Sequence, residues 1–224
     1  MPAETVCAGP ASSGTLCRVK RLIVTDVDST FFRQEVIELI AEHAGTREQV
    51  AEVTERAMRG ELDFAGSLRE RVATLAGVPE AALEKVRGAV ELMPGAAALV
   101  AACQERGWAF GLVSGGFEEI VRPIVEPLGV TLIRANRLEI AGGVLTGRTA
   151  GPVIDRAAKE ATLRAWAEAE GVPMEATVAV GDGANDLDMI LAAGVGVAFR
   201  AKPAVRAAAP HSLDGALDEV LRLL

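Results

Sequence analysis

Cysteine is scarce in this chain, and the few that occur do not pair by spacing. Cys7, Cys17 and Cys103 are odd in number and form no CxxC motif. Neither a disulfide scaffold nor a zinc site is expected, and a reducing, cytoplasmic setting is. No apolar run approaches the roughly 20 residues that span a bilayer. The opening stretch MPAETVCAGPASSGTLC lacks the basic region and apolar core of a signal peptide. No basic block interrupts a formal net charge of -8, which disfavours nucleic acid and anionic membrane as partners. An anionic small molecule stays open, because a metal or a few cations reverse the field inside one cleft. No internal repeat stands out, and nothing separates a monomer from a homodimer.

What is present suits a globular α/β protein. The 224 residues, 50% hydrophobic and 24% charged, can bury the core of one large domain or two small ones. Short apolar runs of β character recur between helical stretches: Leu22 to Val24, Trp108 to Val113, Val130 to Ile133, Thr177 to Val180 and Val195 to Phe199. Runs apolar on both faces predict a buried parallel sheet built from βαβ units. Around Gly142-Gly143, residues 138–149 predict a β-hairpin. Between Phe32 and Leu92 the period turns helical, with Val36, Ile37 and Ile40, then Leu68, Val72 and Leu75. Thr46 and Gln49 have capping-box spacing, Gly77 can end a helix and Pro79 can open the next. The expected organisation is a flexible extension over 1–18, too short for a regulatory domain. A core over 19–31 and 93–224 and a helical cap over 32–92 follow it. An insertion directly after the first strand would sit over the strand ends, where open α/β sheets bind ligands.

Four clusters carry chemistry. Asp26-Val27-Asp28-Ser29-Thr30 ends the first strand, and two carboxylates so placed can serve as nucleophile and acid/base. Asp28 and Ser29 can equally be turn or cap residues. Ser114-Gly115-Gly116 ends the next strand, where a hydroxyl and glycine amides at a helix start would cradle an anion. The alternative is a helix cap with turn glycines; a serine-hydrolase elbow is excluded because Leu112 breaks the GxSxG pattern. Lys159 falls in the first turn of a helix capped by Asp155, where the macrodipole disfavours a cation, unless it only pairs with Asp155. Gly181 to Asp186, GDGAND, gathers hard oxygen ligands suited to magnesium. It can also be a helix start with Asn185 as cap and Asp186 and Asp188 favoured by the dipole. A calcium loop fails, since Ala193 and Phe31 occupy required positions. Jointly the clusters hold what phosphoryl transfer requires: nucleophile, acid/base, metal site, cation and anion-binding amides.

From Leu22 to the C-terminus these motifs resemble the haloacid-dehalogenase superfamily and, within it, the phosphoserine phosphatases. DxDST, SGGF at 114–117, Lys159 and GDGAND carry the likeness. The resemblance implies a Rossmannoid parallel sheet with helices on both faces and an inserted helical-bundle cap. It implies hydrolysis of O-phosphoserine, the last step of serine biosynthesis, with Asp26 as nucleophile and Asp28 as proton donor and then general base. Mg2+ would be held by Asp26, Asp182 and the Asp28 backbone carbonyl. Ser114, Gly115, Lys159 and Asn185 would bind phosphate, while Glu35 and Arg71 would grip the amino-acid end. Thr25 and Phe31 depart from the usual residues beside the first motif. His43 and His211 are expected to play no catalytic part. Rival expectations are a phosphotransferase to homoserine or another alcohol, a phosphatase for a different small phosphomonoester, and a non-catalytic phospho-acceptor domain.

Overall fold

Every residue of strand β1 (Leu22–Thr25) is buried, because the sheet is covered on both sides. Leu22 and Val24 pack with Val113, Ala179, Leu163 and Met189. Ile23 points the other way, into a cluster with Leu112, Val178, Leu99 and Ile120. The period-two alternation of β structure thus places apolar residues on both faces. The computed structural model describes residues 20–58 and 61–224; the extension expected over 1–18 lies outside them.

The sheet has seven strands in the order β4-β3-β2-β1-β5-β6-β7. Besides β1 these are β2 (Ala109–Phe117), β3 (Leu132–Ala141), β4 (Val144–Ala150), β5 (Thr177–Gly181), β6 (Val195–Phe199) and β7 (His211–Leu213). All neighbours are parallel except β3 and β4, so the sheet is mixed at one edge. The exception is the expected hairpin, whose turn glycines Gly142 and Gly143 both have positive φ. Helices α5 (Ala96–Arg106) and α6 (Glu118–Val125) contribute to one face, α7 (Arg156–Glu170) and α8 (Leu187–Ala192) to the other. α9 (Pro203–Ala208) follows β6. β1 lies between β2 and β5, a topological switch point whose crevice opens at the strand carboxyl ends.

Four helices, α1 (Val36–Ala44), α2 (Arg47–Met58), α3 (Phe64–Ala73) and α4 (Ala82–Ala89), lie between β1 and α5. Their buried residues Val36, Ile40, Leu68, Val72, Leu83 and Val86 continue one face of the sheet's core. At the root, Met93 N–H donates to Phe31 O at 2.8 Å and Arg33 N–H to Glu91 O at 2.9 Å. The turn between α3 and α4 bonds to the hairpin: Gly77 N–H to Leu145 O, Leu145 N–H to Val78 O, and Glu80 N–H to Gly143 O, all within 2.9 Å. Arg87 of α4 donates to Glu119 O at 3.0 Å. Pro123, four residues on from Glu119, has no N–H to offer that carbonyl.

Local signals misplaced several boundaries. Among the described residues the Thr46 hydroxyl has no hydrogen-bond partner, so the capping box is not made, although α2 begins where its spacing predicts. α3 stops at Ala73, and Gly77 and Pro79 are drawn into the contact with β4 instead of flanking helices. The hairpin competes for their backbone and wins.

Candidate active site

Asp26 follows β1 directly and its N–H extends the ladder to Val180 O at 2.8 Å. The chain then winds around the Val27 carbonyl, which accepts from Thr30, Phe31 and Phe32 N–H at 3.2, 2.9 and 2.8 Å. This tight turn keeps Asp28 in the same cavity as Asp26, where its Oδ1 accepts from Val36 N–H, the first of α1, at 3.0 Å. Burial, then the nearby Glu35 carboxylate, push Asp28 up to about 7. Ser29 adopts φ 58 and donates its hydroxyl to Glu35 Oε1 at 2.7 Å.

Ser114 is fully buried, and its Oγ accepts from Gly116 N–H at 2.8 Å, leaving its proton free to donate elsewhere. The expected helix start is not there: β2 runs on to Phe117 and α6 begins at Glu118. Pairing with β3 instead slips between Val113 and Phe117, a bulge of the kind that re-aims groups beside active sites. Buried Asn136 fastens it, donating Nδ2 to Gly115 O and accepting Ile154 N–H, both at 2.8 Å. A Cβ at position 116 would lie 2.6 Å from Asp28 Oδ2, so only glycine admits this approach of β2 to Asp28.

Lys159 does not form the alternative side-chain pair with Asp155, which caps α7 by accepting Ala158 N–H at 2.9 Å. Its Nζ lies 2.5 Å from Asp26 Oδ1 and 2.6 Å from Asp186 Oδ1, all three groups being buried. Burial alone would lower the Lys159 pKa; the Asp186 and Asp26 carboxylates reverse that and raise it. For Asp26, burial and then Asp186 raise the pKa, outweighing Lys159. Asp186 also accepts Gly183 N–H at 2.9 Å. A Cβ at Gly181 would strike it at 2.5 Å. Burial, then Asp186 and Glu35, push Asp182 up to about 7.

Carboxylate oxygens of Asp26, Asp182 and Asp186 lie within 4.8 Å of one another. Three hard ligands, of which Asp26 and Asp182 have raised pKa values, with the single cation Lys159 among them form a site deficient in positive charge, which a hard divalent ion fits. Asp186 was read from sequence only as a helix-start residue; its place in this cluster is a correction.

The strand ends open into a cavity of about 570 Å³. Asp26, Asp28 and Asp182 line it from the sheet, and Glu35, Phe64 and Arg71 from the inserted helices, with Gly115 and Asn185 between. Ser114 and Lys159 are outside that lining. Burial lowers Arg71 below its usual pKa, with Glu35, Asp28 and Glu38 acting against the shift. Its Nε donates to Ser67 O at 3.3 Å, and among the described residues it makes no ion pair. Neither His43, in the last turn of α1, nor the exposed His211 lines the cavity. Sequence reasoning missed Phe64 and Lys202 of the cavity lining and the buried Asn136 bonded to Gly115; no local pattern marks them. No helix among the described residues is long and apolar enough to cross a membrane.

The pattern of haloacid dehalogenase-like hydrolases matches residues 23–191. The phosphoserine phosphatase SerB2 of Mycobacterium tuberculosis is 54% identical over 212 residues, covering 94% of this chain and 52% of that protein. A phosphoserine phosphatase of Streptomyces coelicolor gives 53% over 214 residues, 95% of this chain and again 52% of the relative. The chain thus spans about half the length of these two curated relatives. A phosphoserine phosphatase of Streptococcus thermophilus is 48% identical over 198 residues, 88% of this chain and 92% of its own length. Among solved structures, a phospho-aspartyl intermediate analogue of phosphoserine phosphatase superposes with a TM-score of 0.86 at 40% identity, covering 92% of this chain and 99% of that one.

Proposed function

This chain belongs to the haloacid dehalogenase-like hydrolase family, and we propose that it is a magnesium-dependent phosphatase acting on O-phosphoserine. The observation that carries the reading is the pairing of two carboxylates with different surroundings. Asp26 is clamped by Lys159, and Asp28 is held apart from that cation with a pKa near neutrality. Burial and the Asp186 charge raise Asp26, and a divalent ion at the acidic cluster would offset them. An ionised nucleophile beside a protonatable acid is what phosphomonoester cleavage through a covalent intermediate requires. The named activities of the relatives point the same way.

In this reading Asp26 attacks phosphorus and the bond from phosphorus to the seryl oxygen breaks, with Asp28 giving its proton to that oxygen. Water then attacks the acyl phosphate and passes a proton to Asp28, releasing inorganic phosphate and restoring both carboxyls. Lys159 fixes the attacking carboxylate and Ser114, Gly115 and Asn185 receive the phosphoryl oxygens. Mg2+ held by Asp26, Asp182 and the Asp28 carbonyl, with Asp186 adjacent, would neutralise charge on the phosphoryl group. Arg71, a half-buried guanidinium without an ion pair among the described residues, offers its charge to the substrate carboxylate, and Glu35 to the ammonium. Residues 32–92 act as the cap that brings these two groups over the sheet. A cytoplasmic setting belongs to the same reading, supported by the free, buried thiol of Cys103.

Phosphate release from O-phosphoserine with no added acceptor tests it. Magnesium-dependent release that exceeds release from other small phosphomonoesters is expected. Turnover only with an added alcohol would make the protein a phosphotransferase instead, and no turnover with any ester would make it a phospho-acceptor.

A further inference from the structure

Acidic groups outnumber cations in the cavity lining, where Asp26, Asp28, Glu35, Glu38 and Asp182 surround the space that a phosphomonoester dianion would enter. Cations of the described lining are Arg71, Arg156 and Lys202. Arg156 is paired with Asp188, and Arg71 lies on the inserted helices under the fields of Glu35, Asp28 and Glu38. Lys202 is exposed, and among the described residues its ammonium has neither a hydrogen bond nor an ion pair.

Hydrogen bonds hold the backbone around Lys202, while its side chain is exposed. Its N–H donates to the Asp182 carbonyl at 3.2 Å, and its carbonyl accepts from Val205 and Arg206 N–H at 3.0 Å each. Two residues earlier Arg200 takes φ 47, a left-handed conformation uncommon outside glycine. There its N–H donates to Leu213 O at 2.8 Å and its Nη2 to Gly215 O at 2.9 Å. This turn delivers a lysine from the end of β6 to the rim beside Asp182, and the Lys202 charge acts on that carboxylate.

We propose that Lys202 is the entry cation of this site, drawing the phosphate dianion past the acidic rim and retaining inorganic phosphate before release. The inference rests on the phosphatase reading and adds a residue to it. An exposed ammonium on a hydrogen-bonded turn beside an acidic cleft offsets the local repulsion that an approaching anion meets. Lys159 cannot do this from its buried position between Asp26 and Asp186.

Steady-state kinetics of the magnesium-loaded chain and its Lys202→Gln variant test the proposal. KM for O-phosphoserine and the inhibition constant for inorganic phosphate should each rise about tenfold, with the change in KM rather than kcat. The fall of kcat/KM with added salt should flatten, and Lys202→Arg should restore it. Magnesium affinity should hold or tighten, since a repelling charge has gone. Unchanged KM and phosphate inhibition would overturn the idea. So would a lower kcat with weaker magnesium binding, which would mean that Lys202 only secures the Asp182 loop. Should the unaltered chain turn over no phosphoester, the phosphatase reading fails separately. Calorimetric titration with inorganic phosphate then decides: tighter binding than in Lys202→Gln supports the entry cation, and equal binding sinks it.

Discussion

Lys159 Nζ sits 2.5 Å from Asp26 Oδ1, at the bottom of a site where the lysine is inaccessible to solvent. Removing one partner of a buried pair typically costs about 3–5 kcal/mol, because the other charge is left uncompensated. Lys159→Met keeps most of the stem's volume and strands the two carboxylates, Asp26 and Asp186. The loss should be greatest near about pH 8 and smaller near about pH 6, where a carboxylate can take up a proton instead. Urea unfolding at both pH values checks this, and an equal loss at each would mean the stem matters more than the charge.

Magnesium should stabilise the protein in a pH-dependent way. Burial and Asp186 raise Asp182 to about 7 in the metal-free chain, and Asp26 is raised as well. An acid whose pKa is higher folded than unfolded contributes stability fully present below its unfolded value and lost as pH rises through the folded one. The metal-free protein should therefore weaken across neutrality, where a divalent ion gains most by replacing the protons. Melting curves with and without magnesium should show a larger gain near about pH 8 than near about pH 6. A gain independent of pH would place the ion elsewhere.

The sequence made the chemistry more legible than its supports. Asp26, Ser114 and Asp182 could be gathered because each ends an apolar run, and parallel strands deliver their ends to one crevice. Asp186 looked like an ordinary helix-start acid, since its partner Lys159 is remote in sequence. Asn136 was invisible because its role depends on the slipped register of β2 and β3, which no spacing encodes. Lys202 depends likewise on the turn after β6. Gly115-Gly116 resembled a strand end, yet β2 bulges across them and pairs again at Phe117. Tertiary contacts also overrode the helix signals at Gly77 and Pro79, whose backbone the hairpin captured.

Thr25 stands beside the nucleophile with its hydroxyl buried and, among the described residues, without a hydrogen-bond partner. An unsatisfied buried hydroxyl costs about 1–3 kcal/mol, and valine has nearly the same shape. Thr25→Val should stabilise the chain by about 1 kcal/mol and leave turnover within about twofold, because the Asp26 N–H bond to Val180 is a backbone contact. Chemical denaturation measures the first and phosphate release the second. A destabilised variant would mean that the hydroxyl serves a partner not apparent in its surroundings.

Arg71 should set specificity without touching the chemistry. Arg71→Ala removes the cation offered to the substrate carboxylate, a contact worth about 1.5–3 kcal/mol. That is roughly a ten- to hundredfold loss in kcat/KM for O-phosphoserine. A phosphoester with no carboxylate should lose little. Equal losses on both would show that Arg71 contacts phosphate or holds α3 in place.

The two carboxylates of the first motif should fail differently. Asp26→Asn removes the nucleophile, so turnover should vanish and no covalent phosphoenzyme should form. Asp28→Asn keeps the nucleophile and its Lys159 clamp but loses the group held at about 7 by burial and Glu35. Both half-reactions should slow, by roughly the 10²–10⁴-fold usual for general acid-base groups. An activated leaving group such as p-nitrophenol needs little protonation, so it should restore part of the first step. The second step gains nothing from the better leaving group, because water still has no base. Phosphoenzyme should then accumulate in Asp28→Asn and appear as one added phosphate in the intact mass after cold acid quench. Peptide mapping should place it on Asp26. Phosphate on Ser114, or undiminished turnover in Asp26→Asn, would overturn the assignment of the nucleophile.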